Sequence, residues 1–178
     1  MTLAASQFAL ANTNDALAGD DATEPATRLP QECMDSAAVS YLKLIEAMDW
    51  QGMRKRLASD ARYVDPTMVH YNRPAIDRTG ADAVVAFWRT SSEESGTTLI
   101  KYAYRNCFET AGFHVVHYDI AVDVSGEYWG INQKQVTIPG QVMSVIRIVD
   151  GLVAEHRDYV DYAGADRHVE SLQGNNQR

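Results

Sequence analysis

Basic charge, long apolar runs and cysteine are all scarce in this chain of 178 residues. The chain has 24 acidic residues against 16 Lys and Arg, a formal net charge of -8. Nucleic-acid binders need a basic face to displace counterions, so no nucleic-acid partner is expected. No apolar run approaches the length of a membrane span, so no membrane partner is expected. Because 46% of the residues are apolar, the chain can still bury a core, and small molecules or proteins are the expected partners.

The two cysteines, Cys33 and Cys107, lie far apart in the sequence. Their spacing matches neither a metal-ligand motif nor a disulfide framework, so we predict two structural thiols that identify no compartment. A single inward-facing histidine and scattered acids do not make a metal-ligand set. No metal is therefore expected.

The first 32 residues differ in composition from the rest. They are rich in Ala, Asn, Asp and Thr and have no periodic apolar stripe, which predicts a mobile tail. LAASQFALAN is similar to the end of a secretory signal but lacks a basic start. A cytoplasmic protein is the favoured interpretation, and an exported or periplasmic one the alternative if the true start lies upstream. Residues 33–172 are predicted to form the domain, and residues 173–178 a frayed end.

The remaining pattern predicts helices first and strands afterwards. Apolar residues recur at helical spacing from Asp35, Asp49 can cap a second short helix, and Thr79 or Gly80 opens a third. ARYVD is a strand stopped by Pro66, and residues 67–80 are an irregular flap. After Gly96 the period changes to two and predicts four strands, with AG and DG turns, before a short helix at 164–172. This order indicates an α+β domain.

Alternation along the strands predicts which polar side chains point inward. Asp65 and Tyr63 share a face of the first strand, and Asn106 lies on the apolar face of the second. In the last strand His156 and Asp158 lie on the less charged face. Outward positions fall on His117, Asp119 and Asp123.

Two interpretations of the inward groups remain open. In the structural one, Asp65 accepts an Asx-turn hydrogen bond at the Asp-Pro step, while His156 and Asp158 satisfy each other. In the functional one, the three groups converge on one cavity and exchange protons with a ligand. Each residue taken alone favours the structural interpretation, and convergence favours the functional one.

Residues 35 to 172 resemble the ketosteroid-isomerase-like and SnoaL-like branch of the nuclear-transport-factor-2-like fold. YLKLIEAMDWQGMRKRLASDARYVDP is similar to the first two helices and first strand of ketosteroid isomerases, and TGADAVVAFWRTS to their third helix. The resemblance implies a cone-shaped α+β barrel, with three N-terminal helices packed on a curved, mostly antiparallel sheet, and a homodimer. It places Asp65 on the carboxylate that shuttles a proton and Tyr41 on the tyrosine that stabilises the enolate oxygen.

Two features depart from the isomerases. Ser144 stands where they carry a protonated aspartate as the second oxyanion donor, and the loop after Asp65 is longer and contains His70 and Tyr71. The end of the chain, LVAEHRDYVDY, resembles the final strand of limonene-epoxide hydrolases and SnoaL-type polyketide cyclases. That likeness implies acid/base chemistry at Asp158, without the arginine and second aspartate of the hydrolases.

Three hypotheses follow. The first is a cofactor-independent acid/base isomerase, cyclase or dehydratase acting on a small apolar molecule with a carbonyl or hydroxyl group. The second is an epoxide hydrolase using Asp158, and the third a non-catalytic ligand-binding or dimerisation domain. The predicted catalytic residues are Asp65, Tyr41, Asp158 and His156. The predicted substrate-binding residues are Tyr63, Trp88, Tyr102, Tyr104, Asn106, Tyr118 and Ser144.

Overall fold

A computed structural model of the chain describes residues 31–175, so residues 1–30 of the predicted tail and the last three residues lie outside the described part. The helices are α1 (Gln31–Met34), α2 (Ala37–Glu46), α3 (Trp50–Arg56), α4 (Ala81–Glu94) and α5 (Tyr162–Asn175). The strands are β1 (Leu57–Asp65), β2 (Ile76–Thr79), β3 (Leu99–Thr110), β4 (Phe113–Ser125), β5 (Gln135–Val149) and β6 (Leu152–Val160). Two 3-10 helices run over Pro66–Tyr71 and Glu127–Trp129.

Local capping explains where the first helices begin. The side chain of Ser36 accepts a hydrogen bond from the backbone N–H of Val39 at the start of α2, and Asp49 accepts one from Gly52 at the start of α3. The apolar face of α2 buries Tyr41, Leu42 and Ile45 completely. These residues join the main core between the helices and the sheet.

The six strands form one sheet in the order β2-β1-β6-β5-β4-β3. All neighbouring strands are antiparallel except β1 and β6, which run parallel. The predicted α+β class and the curved, mostly antiparallel sheet are confirmed. The predicted flap is more ordered than expected, because it contains the 3-10 helix Pro66–Tyr71 and the edge strand β2.

The two predicted hairpin turns are confirmed. Ala111 and Gly112 connect β3 to β4, and Asp150 and Gly151 connect β5 to β6. All four residues have positive φ, as a turn that follows the right-handed twist of a hairpin requires.

A bulge in β3 overturns two predictions. The register shifts between Tyr104 and Asn106, so Asn106 pairs with exposed His117 and points outward instead of inward. Cys107 then pairs with buried Val116 and takes the inward face. There it forms a disulfide with Cys33, so the prediction of two thiols was wrong.

The last helix is longer than the predicted 164–172, since α5 runs over Tyr162–Asn175, and a short helix, α1, precedes the first predicted one. Among the helices of the described residues, none has the length and apolarity needed to cross a membrane.

The disulfide closes a long loop, with a sequence separation of 74 residues. We expect the Cys33→Ser, Cys107→Ser double variant to lose about 2–4 kcal/mol of unfolding free energy, because the unfolded chain regains the entropy of the open loop. Urea unfolding of both proteins measures the difference. In denaturant without reductant the native chain should show no thiol reactive with Ellman's reagent. Free thiols there, or an unchanged midpoint after reduction, would contradict the assignment.

Candidate acid/base site

Two aspartates lie buried where β1 meets β6. Asp65 ends β1 and is 1% exposed, and Asp158 lies in β6 and is 3% exposed. The parallel pairing aligns Tyr63 with His156, which brings the carboxyl-terminal part of β1 beside that of β6. The predicted burial of Asp65, His156 and Asp158 is confirmed, and the outward-facing aspartates Asp119 and Asp123 bond to other outer-face side chains.

Asp158 accepts three side-chain hydrogen bonds. Tyr63 donates to Oδ2 at 3.1 Å, while Ser144 and His156 donate to Oδ1 at 2.5 and 2.8 Å. A carboxylate offers about four lone-pair directions, so three are used and Oδ2 keeps one. The donors come from β1, β5 and β6, and Asp158 thereby joins three strands.

Two of these donors, Ser144 and His156, each have a tyrosine hydroxyl as a further hydrogen-bonding neighbour. The Tyr118 hydroxyl lies 2.9 Å from Ser144 Oγ, and the Tyr41 hydroxyl lies 3.3 Å from His156 Nδ1. A neutral imidazole protonated at Nε2 satisfies both neighbours, because Nδ1 accepts from Tyr41 and Nε2 donates to Asp158. A protonated imidazole would donate at both nitrogens and take away the acceptor of the Tyr41 hydroxyl.

Asp65 is held by the residues that follow it and by α5. Its Oδ1 accepts from the backbone N–H of Thr67 at 2.8 Å and from the Thr67 hydroxyl at 2.5 Å. Its Oδ2 accepts from the Tyr162 hydroxyl at 2.5 Å. The Asx-turn hydrogen bond of the structural interpretation is therefore present, and Asp65 also has a partner that this interpretation did not include.

The segment after Asp65 is fastened to α5. His70 Nε2 lies 2.7 Å from Asp166 Oδ2, and the Tyr71 hydroxyl donates to Asp166 Oδ1 at 2.9 Å. The ring of Tyr162 packs against both residues, with centroids 6.3 Å from His70 and 5.0 Å from Tyr71. Tyr162 therefore contacts Asp65 through its hydroxyl and the segment Pro66–Tyr71 through its ring.

Asp65 and Asp158 line the same cavity, which has a volume of about 700 Å³. Its lining contains eight aromatic side chains among aliphatic and polar ones, namely Tyr63, Phe87, Trp88, Tyr102, Tyr118, Tyr128, Trp129 and Tyr162. Such a volume suits a small organic molecule. Asp65 and Asp158 are the two carboxylates of this lining that lie buried.

The structure divides the predicted site residues into two groups. The cavity is lined by Asp65, Asp158, Tyr63, Trp88, Tyr102 and Tyr118. Tyr41, His156, Ser144 and Tyr104 are not among its lining residues, and the first three bond to one another or to Asp158 from behind. The rings of Tyr63 and Trp88 pack against His156 and separate it from the cavity. Asn106 points outward because of the bulge.

Sequence reasoning missed Tyr162 as a site residue. It shares the inward face of β6 by alternation, but it lies past the end of the strand, as the first residue of α5. The signal was the continued i, i+2 spacing from Asp158 and Val160 to Tyr162.

Tyr102 differs from the other interior phenols of the cavity, whereas the fifth lining tyrosine, Tyr128, is exposed. Within residues 31–175 its hydroxyl has no hydrogen-bond partner, whereas Tyr63, Tyr118 and Tyr162 are each bonded to a polar side chain. Burial, with the nearby charge of Asp158, raises the pKa of Tyr102 well above 10. Tyr102 therefore stays protonated at neutral pH and can donate to a ligand.

No other cavity found in residues 31–175 is lined by two buried carboxylates. A smaller one, of about 190 Å³, is lined by His114 and Glu109, whose Nδ1 and Oε2 lie 3.6 Å apart. Residues 31–175 contain no group of three or more His, Cys, Asp or Glu arranged to hold a metal ion. A wider depression of about 960 Å³ lies around residues 126–135, and none of the buried ionisable residues lines it.

The SnoaL-like domain model matches residues 38–156, more than half of the chain. The chain belongs to the SnoaL-like domain family. No curated protein sequence matches it. The match spans the segment from α2 to His156 in β6, so Asp65 lies within it and Asp158 lies just beyond its end.

Solved structures of this SnoaL-like domain's relatives share its fold at low identity. A Shewanella denitrificans protein described as a SnoaL-like polyketide cyclase is 20% identical, with a TM-score of 0.66 over 76% of this chain and 95% of that one. An LEH-like epoxide hydrolase from M. tuberculosis is 14% identical, with a TM-score of 0.59 over 80% and 92%. A Catenulispora acidiphila protein with a ketosteroid isomerase-like fold, solved with trimethylamine, is 8% identical, with a TM-score of 0.61 over 79% and 93%. At such identities the likeness shows the fold alone.

The buried phenols predict how stability depends on pH. Burial is the main cause that raises the pKa of Tyr41, Tyr63, Tyr102 and Tyr118 above the ordinary 10.0, and the charge of Asp158 adds to it. The folded chain then keeps protons that the unfolded chain releases above pH 10, so the free energy of unfolding should be steady below pH 10 and fall above it. Urea unfolding at a series of alkaline pH values, followed with tyrosinate absorbance, measures this. Ionisation of these four tyrosines near pH 10 without loss of structure would contradict the prediction.

Proposed function

We propose that this SnoaL-like domain is a cofactor-independent acid/base enzyme. Its substrate is a small, mostly apolar molecule with a carbonyl or hydroxyl group, and the reaction is an isomerisation, cyclisation or dehydration. The observation that supports this most directly is the pair of buried carboxylates, Asp65 and Asp158, that line one aromatic cavity. Each carboxylate is bonded through Oδ2 to a cavity tyrosine, Tyr162 or Tyr63.

Asp65 acts as the base in this proposal. Its Oδ1 is held by two hydrogen bonds from Thr67, which fix the plane of the carboxylate. Its Oδ2 has one donor, Tyr162, and keeps a lone pair for a substrate proton. A proton removed from the carbon next to a substrate carbonyl passes to this oxygen and can return at another carbon, which completes an isomerisation.

Tyr102 serves as the donor to the substrate oxygen. Removing the proton leaves negative charge on the carbonyl oxygen, and a phenol that is protonated and not already bonded stabilises that charge. Tyr41, which the resemblance assigned to this role, directs its hydroxyl to His156 outside the cavity lining. We therefore assign Tyr41, with His156 and Ser144, to holding Asp158 in place.

The substitution Asp65→Asn tests the base. Asparagine keeps the oxygen that accepts from Thr67 but cannot take a proton, so we expect turnover to fall about 10²–10⁴-fold with little change in melting temperature. The assay is a turnover screen against enones, polyketide-like ketones and terpene epoxides, read by NMR for isomerisation and by mass spectrometry for reactions that change the mass. Asp60→Asn is the matched control, since it removes the same charge from an exposed position of β1.

Other outcomes of this screen favour other functions. Activity in Asp65→Asn equal to wild type would remove Asp65 from the mechanism. Epoxide hydrolysis that survives Asp65→Asn and is lost in Asp158→Asn would favour a hydrolase, for which the Tyr63 hydroxyl beside Asp158 in the cavity is the supporting observation. Ligand binding without any product would favour a binding domain.

The substitution Tyr102→Phe tests the oxyanion donor. We expect the turnover number to fall about 10²-fold, because one donor to the developing charge is lost, while the fold is kept. Tyr104→Phe is the matched control. It lies two residues along β3, its hydroxyl is also without a partner in the described structure, and it does not line the cavity. Equal losses in the two variants would show that the effect belongs to packing and not to the donor.

A further inference from the structure

The charges around the cavity are unevenly balanced. Asp65 and Asp158 are almost completely buried, yet no Lys or Arg within residues 31–175 forms an ion pair with either. The donors to Asp65 are a backbone N–H and two hydroxyl groups, which are neutral. Buried carboxylates are ordinarily paired with a cation, so a positive partner is missing from this part of the chain.

Among the donors to these carboxylates within residues 31–175, only His156 can carry a positive charge. The hydrogen bonds around it are all satisfied by the neutral imidazole, because Tyr41 can then donate to Nδ1 while Nε2 donates to Asp158. In that state His156 brings no positive charge, and Asp158 remains uncompensated. Burial is the main cause that raises the pKa of Tyr63, Tyr102, Tyr118 and Tyr162, and the charge of Asp158 adds to the rise at each of them, on β1, β3, β4 and α5.

The walls of the cavity also suit a cation. Eight aromatic side chains line it, and their π-faces are electron-rich. Tyr63, for example, lies beside Phe87 and Trp88 with ring centroids 5.4 and 5.2 Å away. Aromatic faces combined with carboxylates are the surroundings in which proteins hold organic ammonium groups.

Three further charged residues line the cavity, and they do not cancel this field. Arg73, Arg78 and Glu94 are exposed, so water and salt screen them more strongly than the buried pair. The Arg78 guanidinium already lies over the Phe87 ring, 5.3 Å from its centroid. The buried part of the cavity is therefore negative, and its exposed rim is mixed.

We propose that the substrate of this cavity is an organic cation: a small aromatic or aliphatic molecule with a protonated amine, whose N–H donates to a free lone pair of Asp158 Oδ2 and whose alkyl groups contact the aromatic walls. This inference rests on the proposed function in taking the cavity as the substrate site. The inference gives the two carboxylates separate roles: Asp158 binds the ammonium group, and Asp65 moves the proton.

The test compares three probes of similar size with different charge at pH 7. N,N-dimethylbenzylamine is the cation, isobutylbenzene its neutral counterpart of the same shape, and phenylacetate the anion. Binding to the full chain is measured by calorimetry for the charged probes and by ligand-observed NMR competition for the neutral one. We expect the amine to bind about tenfold more tightly than isobutylbenzene, and phenylacetate to bind more weakly than both.

Variants assign the preference to the buried charge. Asp158→Asn should reduce affinity for the amine about tenfold and leave that for isobutylbenzene unchanged, while Asp60→Asn should change neither. Both variants need melting temperatures close to wild type. If Asp158→Asn unfolds, Tyr63→Phe provides a second test, because it frees another acceptor on Asp158 and should strengthen amine binding.

The proposal is overturned if isobutylbenzene binds as tightly as the amine, or if the preference for the amine survives Asp158→Asn. Its failure is distinguishable from failure of the proposed function. Asp65-dependent turnover of neutral ketones without any amine preference would reject the cation and keep the acid/base enzyme. Preference for the amine with no turnover of any probe or panel compound would keep the cation site and reject the enzyme.

Discussion

The carboxylate of Asp158 is the constraint around which the interior is built. It is buried, and an unsatisfied buried polar group costs about 1–3 kcal/mol, more when charged, so its donors must be in place whenever the chain is folded. Those donors are Tyr63 on β1, Ser144 on β5 and His156 on β6 itself. A shift of any of the three strands by one residue would turn its donor to the opposite face of the sheet. The network therefore fixes the register in the middle of the sheet as well as the geometry of the site.

The same constraint separates two kinds of polar residue. Tyr41, Ser144 and His156 do not line the cavity, and their polar atoms are hydrogen-bonded to one another or to Asp158. Those atoms are therefore not available to a ligand. Tyr102 lies in front, in the cavity lining, with its hydroxyl unoccupied. For the donor to a ligand oxygen, the tyrosine indicated by the resemblance, Tyr41, and the tyrosine whose hydroxyl is unbonded in the cavity lining, Tyr102, are thus different residues. The difference comes from the direction of each hydroxyl and not from residue type.

Much of this arrangement could be predicted from the alternation of side chains along the strands alone. The predictions that were wrong have one main cause. Asp65, His156 and Asp158 were predicted to face inward because the side chains of a regular strand alternate between its two faces. All three are buried in the structure. The bulge at Arg105 broke that regularity in β3 and changed two predictions together: Asn106 moved outward, and Cys107 moved inward to meet Cys33. A bulge depends on how β3 and β4 pair across the sheet, which no local pattern in β3 records. Alternation placed Tyr162 on the same face as His156 and Asp158, but Tyr162 was not counted among the site residues, because its hydrogen bond to Asp65 joins positions 97 apart in the sequence.

The parallel pairing of β1 with β6 has a consequence for how the protein is made. The hydrogen bonds of the site join residues far apart in the sequence, separated by 95 positions for Tyr63 and Asp158, 97 for Asp65 and Tyr162, and 115 for Tyr41 and His156. During synthesis on the ribosome, β1 waits for almost the whole domain before its parallel partner β6 emerges, and contacts of this kind slow folding. Until β6 and α5 arrive, Tyr63 lacks its carboxylate partner Asp158, Tyr41 lacks its imidazole partner His156, and the cavity lacks Asp158 and Tyr162. The fold and the cavity are thus completed in the same late step of synthesis. A nascent chain that lacks β6 and α5 therefore cannot bind a ligand at this site.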